Sequence, residues 1–275
     1  MSKNSFDYRL RLVLIAAMHA VFPGGCDNLS DTSSVGLFGT DPGDREQWTI
    51  HCMYTNEPGH EVQCKRLADM LGKVSDLQSQ KVRLETSEDG STIYYGKYVK
   101  VASKTTGRLV FPPGLQRDIK LLQRLSYNQT TPFFHARPVL IEGKKPSKRG
   151  EWHVSRVQGT HTLLIARFYN TPTFSQRKEA AEQYVEQLRQ EGYPAYYQHQ
   201  QVRSLVYIGH FDESDYIQNP DGSYRLSSRV EQLISKNEQA FRCILDNGFL
   251  LKHHTPDGRV MASKSYLVKV PRDDG

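Results

Sequence analysis

Two stretches of the chain repeat one alternation of strand-like and helix-like hydrophobic patterns. In the first stretch, an apolar strand at 48–54 precedes one helix, and strands at 81–85 and 92–95 follow it. A second helix then precedes a last strand at 133–141. Both helices place apolar residues three and four positions apart, the spacing of one buried helix face. The stripes are Cys64, Leu67, Ala68 and Leu71 in the first helix, and Leu115, Ile119, Leu122 and Leu125 in the second.

The second stretch follows the same order. Its strands are expected at 162–168, 196–197, 204–208 and 265–270. Its helix stripes are Ala181, Tyr184, Val185 and Leu188, then Val230, Leu233, Ile234, Phe241 and Ile244. Gly209-His210-Phe211 echoes Gly96-Lys97-Tyr98, and we call the spacing from Gly96 to Gly209 the repeat offset. Self-similarity of this kind indicates an internal duplication.

The order β-α-β-β-α-β in each stretch is that of the split βαβ arrangement. We therefore predict an α+β fold with two tandem ferredoxin-like modules, each a four-stranded antiparallel sheet with two helices on one face. The modules are expected at residues 48–142 and 151–271, joined by a charged Gly/Pro linker at 143–150. The second face of each sheet is expected to be open to ligands.

The first 47 residues have a different pattern. Lys3, Arg9 and Arg11 precede an apolar run over 12–22, which fits the length of a signal-peptide core. Gly24-Gly25-Cys26 resembles the lipobox of bacterial lipoproteins, which implies removal of residues 1–25 and lipid attachment at Cys26. Residues 26–47, rich in Ser, Thr, Asp and Gly, are expected to be a flexible tether. The alternative is a buried element that begins the first domain.

Charge and cysteine content narrow the classes of function. The net charge is +6 over 275 residues, and it falls to +4 without residues 1–25, which hold three basic side chains and one acidic one. This mild excess does not require an anionic partner, and no nucleic acid is expected. The spacing of Cys52, Cys64 and Cys243 fits no zinc site. A disulfide between Cys52 and Cys64 is compatible with export, although free buried thiols are favoured.

Short motifs in both stretches resemble SPOR domains, the sporulation-related repeat family of βαββαβ modules. The segment 163–168, Leu-Leu-Ile-Ala-Arg-Phe, is similar to the family's first strand, and 205–211, Leu-Val-Tyr-Ile-Gly-His-Phe, is similar to its third. In the first stretch, 93–98 keeps the glycine and an aromatic residue. His210 and Lys97 stand where the family usually has proline.

The resemblance implies a non-catalytic protein of the cell envelope that binds peptidoglycan glycan strands through the open sheet face, without cofactor or metal. On this pattern Leu205 and Tyr207 point outward, and the repeat places Tyr94 where Tyr207 stands. These three residues are the candidate glycan contacts. Aromatic rings can cover the apolar faces of sugars, and polar groups can bond the hydroxyls. The expected location is a membrane surface, reached through the lipid anchor.

Other functions find less support in the sequence. His60-Glu61-Val62-Gln63-Cys64 begins like a zinc-protease motif but ends in cysteine, so no catalytic residue is predicted. An envelope scaffold that contacts other envelope or division proteins remains an alternative. An RRM-like RNA-binding module shares the element order, but 94–99 lacks the aromatic pattern of that family's third strand.

Overall fold

Antiparallel sheets and a few helices make up the fold, which confirms the predicted α+β class. The structure is a computed structural model and describes residues 46–55, 59–87, 90–142, 150–219, 224–254 and 259–271. Arg45–Gly275 is one compact unit. Within it we call residues 46–142 body one and residues 150–271 body two. None of the helices in the described ranges is long and apolar enough to cross a membrane.

Body one has a four-stranded antiparallel sheet in the order β2-β3-β1-β6. Both of its helices bury their predicted stripes against one face of this sheet, around Ile50, Ile93 and Tyr95. A short hairpin, β4–β5, lies between the third strand and the second helix. The elements are β1 (Gln47–Thr55), α1 (His60–Leu71), β2 (Val82–Ser87), β3 (Gly90–Val99), β4 (Val101–Ala102), β5 (Leu109–Val110), α2 (Pro113–Arg124) and β6 (Arg137–Ile141).

The sheet of body two has more strands than the four that the sequence predicts. Its sheet has six strands, because a two-residue strand pairs in parallel with the first strand and carries a hairpin partner. The elements are β7 (His161–Tyr169), α3 (Arg177–Gln190), β8 (Ala195–His199), β9 (Arg203–Phe211), β10 (Tyr216–Gln218), β11 (Tyr224–Leu226), α4 (Ser228–Lys236), α5 (Glu238–Phe241), β12 (Leu245–Asp246), β13 (Phe249–Leu250), β14 (Lys252–His254), β15 (Val260–Ala262) and β16 (Tyr266–Lys269).

Residues of the two bodies that are one repeat offset apart pair with equivalent partners. In body one Ile50 pairs with Tyr95, and in body two Leu163 pairs with Ile208. The register shifts between Trp48 and Ile50, and between His51 and Met53, recur at the equivalent positions of β7. The β2–β3 pairing also recurs in β8–β9. The two bodies therefore share the irregularities of their central strands as well as their hydrophobic pattern.

A glycine marks the same point in the third strand of each body. Gly96 has φ +70° and Gly209 has φ +78°, in the region that side chains other than glycine rarely adopt. The ring two residues later folds back over each glycine. A Cβ built on Gly96 would lie 2.5 Å from the Tyr98 ring, and one on Gly209 would lie 2.6 Å from the Phe211 ring.

Several boundaries differ from the pattern. The predicted last helix of body two is broken at Asn237, whose side chain caps the short α5. Ile244 lies beyond α5, just before β12. Phe133 sits in a turn and not in the closing strand, although it is fully buried in the core of body one. Ile244 and Phe133 are apolar because they fill a core, and their spacing alone does not show where a helix or strand ends.

Candidate functional site

The sheet face of body two that was expected to be open is covered. Leu205 is 1% exposed and Tyr207 is fully buried, so the prediction that their side chains face solvent is wrong. They pack in one cluster with the segment after the predicted linker and with residues near β12 and β16. The covering residues are Val154, Val157, Ile244 and Leu251. The Tyr207 hydroxyl donates a hydrogen bond to Gln198 Oε1 at 3.0 Å.

Tyr94 is also buried, at 1% exposure, because body two packs over this face of body one. It forms a small apolar cluster with Val139 of its own sheet and with Tyr169 and Val202 of body two. A glycan cannot reach Tyr94, Leu205 or Tyr207 in this arrangement. Cys26, the remaining predicted site residue, lies outside the described residues, as do the expected signal peptide and most of the tether.

Hydrogen bonds also cross between the two bodies. The backbone N–H of Leu140 donates to Asn170 O, and that of Glu142 donates to Gln201 O, both at 3.1 Å. Arg177, the first residue of α3, is 1% exposed and its Nε donates to Glu142 Oε1 at 2.9 Å. The same guanidinium bonds Ser204 Oγ and Gln200 O. It therefore holds the end of body one against the third strand of body two.

Arg137, Arg167, Arg203 and Asp246 form what we call the arginine cluster, at the junction of the bodies. Arg137 Nη2 and Arg167 Nη2 each bond one oxygen of Asp246, the latter at 3.0 Å. Tyrosine rings lie against the guanidiniums. The distances from Cζ to the ring centroid are 5.1 Å for Arg137 to Tyr169, 4.7 Å for Arg167 to Tyr54, and 5.4 Å for Arg203 to Tyr54.

The cluster perturbs the pKa of its own carboxylate, Asp246, and that of the neighbouring His51 imidazole. Burial, with the Arg167 and Arg137 guanidiniums, lowers the pKa of His51 well below its usual value, so this ring is neutral at pH 7. For Asp246, burial acts to raise the pKa, but Arg167 and Arg137 outweigh it and the net pKa is lowered. His51 Nε2 lies 3.5 Å from the Tyr169 hydroxyl. The cluster therefore holds an ionised carboxylate beside a neutral imidazole.

A groove of about 420 Å³ lies on body two, beside α3. One wall is the polar face of the helix, and the other wall carries two aromatic residues. It is lined by Glu151, Trp152, Glu179, Glu182, Gln183, Glu186 and Tyr197. Arg189 Cζ lies 5.3 Å from the Trp152 ring centroid, and Glu182 bonds His199 Nε2 at 2.9 Å. Its volume lies in the range of small-molecule sites.

The groove was not anticipated from the sequence. Glu179, Glu182, Gln183 and Glu186 recur at helical spacing, but such a face is usually only solvated. Trp152 stands next to the linker, in a segment without a helix or strand pattern. The signal that could have identified the groove is an aromatic residue in a short connection beside a polar helix face.

Two cysteines and the metalloprotease-like motif lie in body one. Cys52 and Cys64 are free, which confirms the thiol interpretation, and burial raises the pKa of Cys64 to about 11. His60 Nδ1 lies 2.8 Å from Ser91 Oγ, near the start of α1. Among the described residues, no three His, Cys, Asp or Glu side chains are placed to hold a metal ion.

Comparisons with known proteins find no matching family model, no matching curated protein and no matching solved structure.

Proposed function

We propose that the chain is a non-catalytic binding protein of the cell envelope, built from two tandem ferredoxin-like modules. The repeated register supports the duplication, because pairing and bulges agree across three strands of each body. The closing strands β6 and β16 also pair with their first strands at equivalent positions. Body two adds β10–β15 to this common frame.

The ligand we propose is a peptidoglycan glycan strand, held in the groove beside α3. The observation that carries this proposal is the lining, which combines the Trp152 indole with carboxylate and amide groups, while the Tyr197 ring at the same wall is largely buried. Aromatic faces cover the C–H faces of sugar rings, and carboxylates accept hydrogen bonds from hydroxyl and amide N–H groups. The SPOR resemblance implies the same ligand, but on a sheet face that is buried here.

The charge of the groove refines the form of the glycan. Its lining contains four glutamates, with Arg189 nearby against Trp152. Strands stripped of their stem peptides expose the muramic acid carboxylates, which these glutamates would repel. In intact strands those carboxylates are amide-linked. We therefore expect the groove to prefer intact over stripped strands.

The test is co-sedimentation with purified sacculi, intact and amidase-treated, at low and at physiological salt. Retention at low salt alone would report attraction of a basic protein to an anionic polymer. We expect the wild-type protein to be retained on intact sacculi at physiological salt. Trp152→Ala should lower the retained amount at least tenfold, and Phe134→Ala should leave it unchanged. Phe134 is the matched control because it is an aromatic residue of body one, 53% exposed. Failure of the wild-type protein to sediment with either preparation contradicts glycan binding.

A second candidate is an envelope scaffold, and exposed apolar residues on body two favour it. They lie on β13 and β15 and are Phe249, Leu250, Val260 and Met261, between 44% and 70% exposed. Side chains of this size left in solvent are typical of protein contact surfaces. If sacculi are not bound, and crosslinks to another envelope protein in cells vanish in Phe249→Ser, the scaffold role is supported instead.

The anchor remains part of the proposal. Cys26 follows two glycines after an apolar run, and two or more acyl chains hold a protein stably at a membrane. Mass spectrometry of protein from native membranes tests this. The expected first residue is a lipid-modified Cys26, and an intact amino terminus with an unmodified Cys26 contradicts the lipoprotein assignment.

A further inference from the structure

The arginine cluster contains more positive than negative charge. Arg137 and Arg167 both pair with one carboxylate, Asp246, while Arg203 acts with them on the neighbouring His51 ring, which is neutral. Among the described residues of the cluster, three guanidiniums face one carboxylate, which is an excess of two positive charges at the junction of the bodies. Charged side chains that are removed from water are normally paired, since an unpaired buried charge is costly.

Specific donors in the cluster have no acceptor in the part of the chain that the structure describes. Arg167 is 3% exposed, and its Nη1 is buried without a hydrogen-bond partner among the described residues. Arg137 Nε is in the same state within that part of the chain. Arg203 donates from Nε to Gln200 Oε1 at 2.7 Å, and no carboxylate in the described ranges forms an ion pair with it. The cluster therefore offers charge and directed N–H groups together.

The guanidiniums of the cluster differ in their exposure to solvent. The Arg167 and Arg203 guanidiniums both lie against the Tyr54 ring, at 4.7 and 5.4 Å from its centroid. Tyr54 and Arg203 are half-buried, whereas Arg167 lies deeper. An incoming group would meet Arg203 first and Arg167 behind it. Stacking on an aromatic ring also fixes the plane of each guanidinium, so that its donors are preorganised.

We propose that the arginine cluster binds an oxyanion of the phosphate class between Arg167 and Arg203, beside Tyr54. Guanidinium groups match phosphate and carboxylate oxygens with two-pronged hydrogen bonds. The excess of two positive charges favours a doubly charged phosphate over a singly charged carboxylate. Because both bodies contribute to the cluster, a bound phosphate would also tie them together. This site is independent of the groove beside α3.

Thermal unfolding of the full chain tests the proposal, with inorganic phosphate as the probe and sodium chloride at equal ionic strength as the reference. A ligand that binds only the folded state raises the unfolding midpoint as its concentration increases. We expect phosphate to raise the midpoint above the chloride reference, and acetate to do so much less. A parallel series with a simple phosphate monoester distinguishes a site for free phosphate from a site for a phosphorylated ligand. A larger rise in the unfolding midpoint with either probe than with chloride supports the site.

Arg203→Gln should remove most of the phosphate-dependent rise, and Arg156→Gln should retain it. Arg156 is the matched control because it is exposed and lies outside the cluster. If Arg203→Gln does not fold by circular dichroism, Arg203→Lys replaces it, since lysine keeps the charge but loses the two-pronged geometry. An equal rise in phosphate and chloride, or an unchanged phosphate-dependent rise in a folded Arg203 variant, overturns the proposal.

Discussion

Thr49 and Thr162, which occupy equivalent positions of the repeat, make the same buried hydrogen bond in the two bodies. Each hydroxyl is fully buried on a first strand and donates to a carbonyl of the third strand, Tyr95 O in one body and Ile208 O in the other, both at 3.2 Å. The Thr162 hydroxyl shares its proton with Gly209 O at 2.8 Å. A buried hydroxyl needs an acceptor, and the register shift beside each threonine supplies one. The repeat thus extends to the polar groups of the interior.

Replacing Gly209 tests the backbone requirement that both bodies share. Gly209→Val places a β-branched side chain at φ +78° and against the Phe211 ring. Strain and overpacking together should cost about 2–5 kcal/mol of unfolding free energy, measured by urea denaturation. Gly114→Ala is the control, since Gly114 lies in α2 with no atom within 4 Å of the added Cβ. That change should leave the protein as stable or slightly more stable. Equal stability of both variants would contradict the backbone argument.

Tyr207→Ala distinguishes a buried residue from a ligand contact. An outward tyrosine would lose little stability, but Tyr207 is fully buried and bonded to Gln198. We expect a loss of about 3–5 kcal/mol in unfolding free energy, since the change removes a large core side chain. Tyr207→Phe keeps the ring and should lose only about 1 kcal/mol. Near-native stability of the alanine variant would restore the open-face interpretation.

His51 should make stability depend on pH between neutrality and mild acid. Burial, Arg167, Arg137 and Arg203 lower its pKa, and Asp246 acts in the opposite direction. The unfolded chain takes up a proton near pH 6.5 while the folded chain does not, so stability falls as pH decreases below that value. One such group contributes a slope of up to about 1.4 kcal/mol per pH unit.

We expect His51→Gln to reduce this slope between pH 7 and pH 5, as measured by urea unfolding at a series of pH values. His210→Gln, at an exposed position of body two, is the control and should leave the slope as in the wild-type chain. A slope that is identical in all three proteins would show that His51 is not neutral in the folded state.

Fragments of the chain test the junction between the bodies. Body one has its own core around Ile50 and Leu122, so residues 46–143 should fold alone, and the same is expected of residues 150–275. Each fragment should be less stable than the full chain, because separation exposes Tyr94, Tyr169 and Val202. Mixing them should restore amide protection at these residues in hydrogen exchange. Two fragments that are each disordered by NMR would show that the bodies are a single folding unit.

The central strands, the first helices and their repeat could be predicted from the sequence, because each buries a regular stripe or alternation. Leu205 and Tyr207 show where prediction from the hydrophobic pattern fails. Alternation assigns them to the face opposite the helices but does not say what covers that face. Val154 and Ile244, which cover it, belong to short segments without periodicity and come from distant parts of the chain. The arginine cluster likewise joins residues up to 109 positions apart.

The covered faces set a limit on how this architecture can grow. In solenoids every repeat presents a surface that the next copy can stack on, and arrays lengthen by adding units. Here body two covers the sheet face of body one that lies opposite the helices. The corresponding face of body two is covered by Val154, Val157 and Leu251. Within the described ranges, neither sheet leaves its second face open for a further body of this kind to pack on. The two bodies therefore form a closed pair within the described part of the chain.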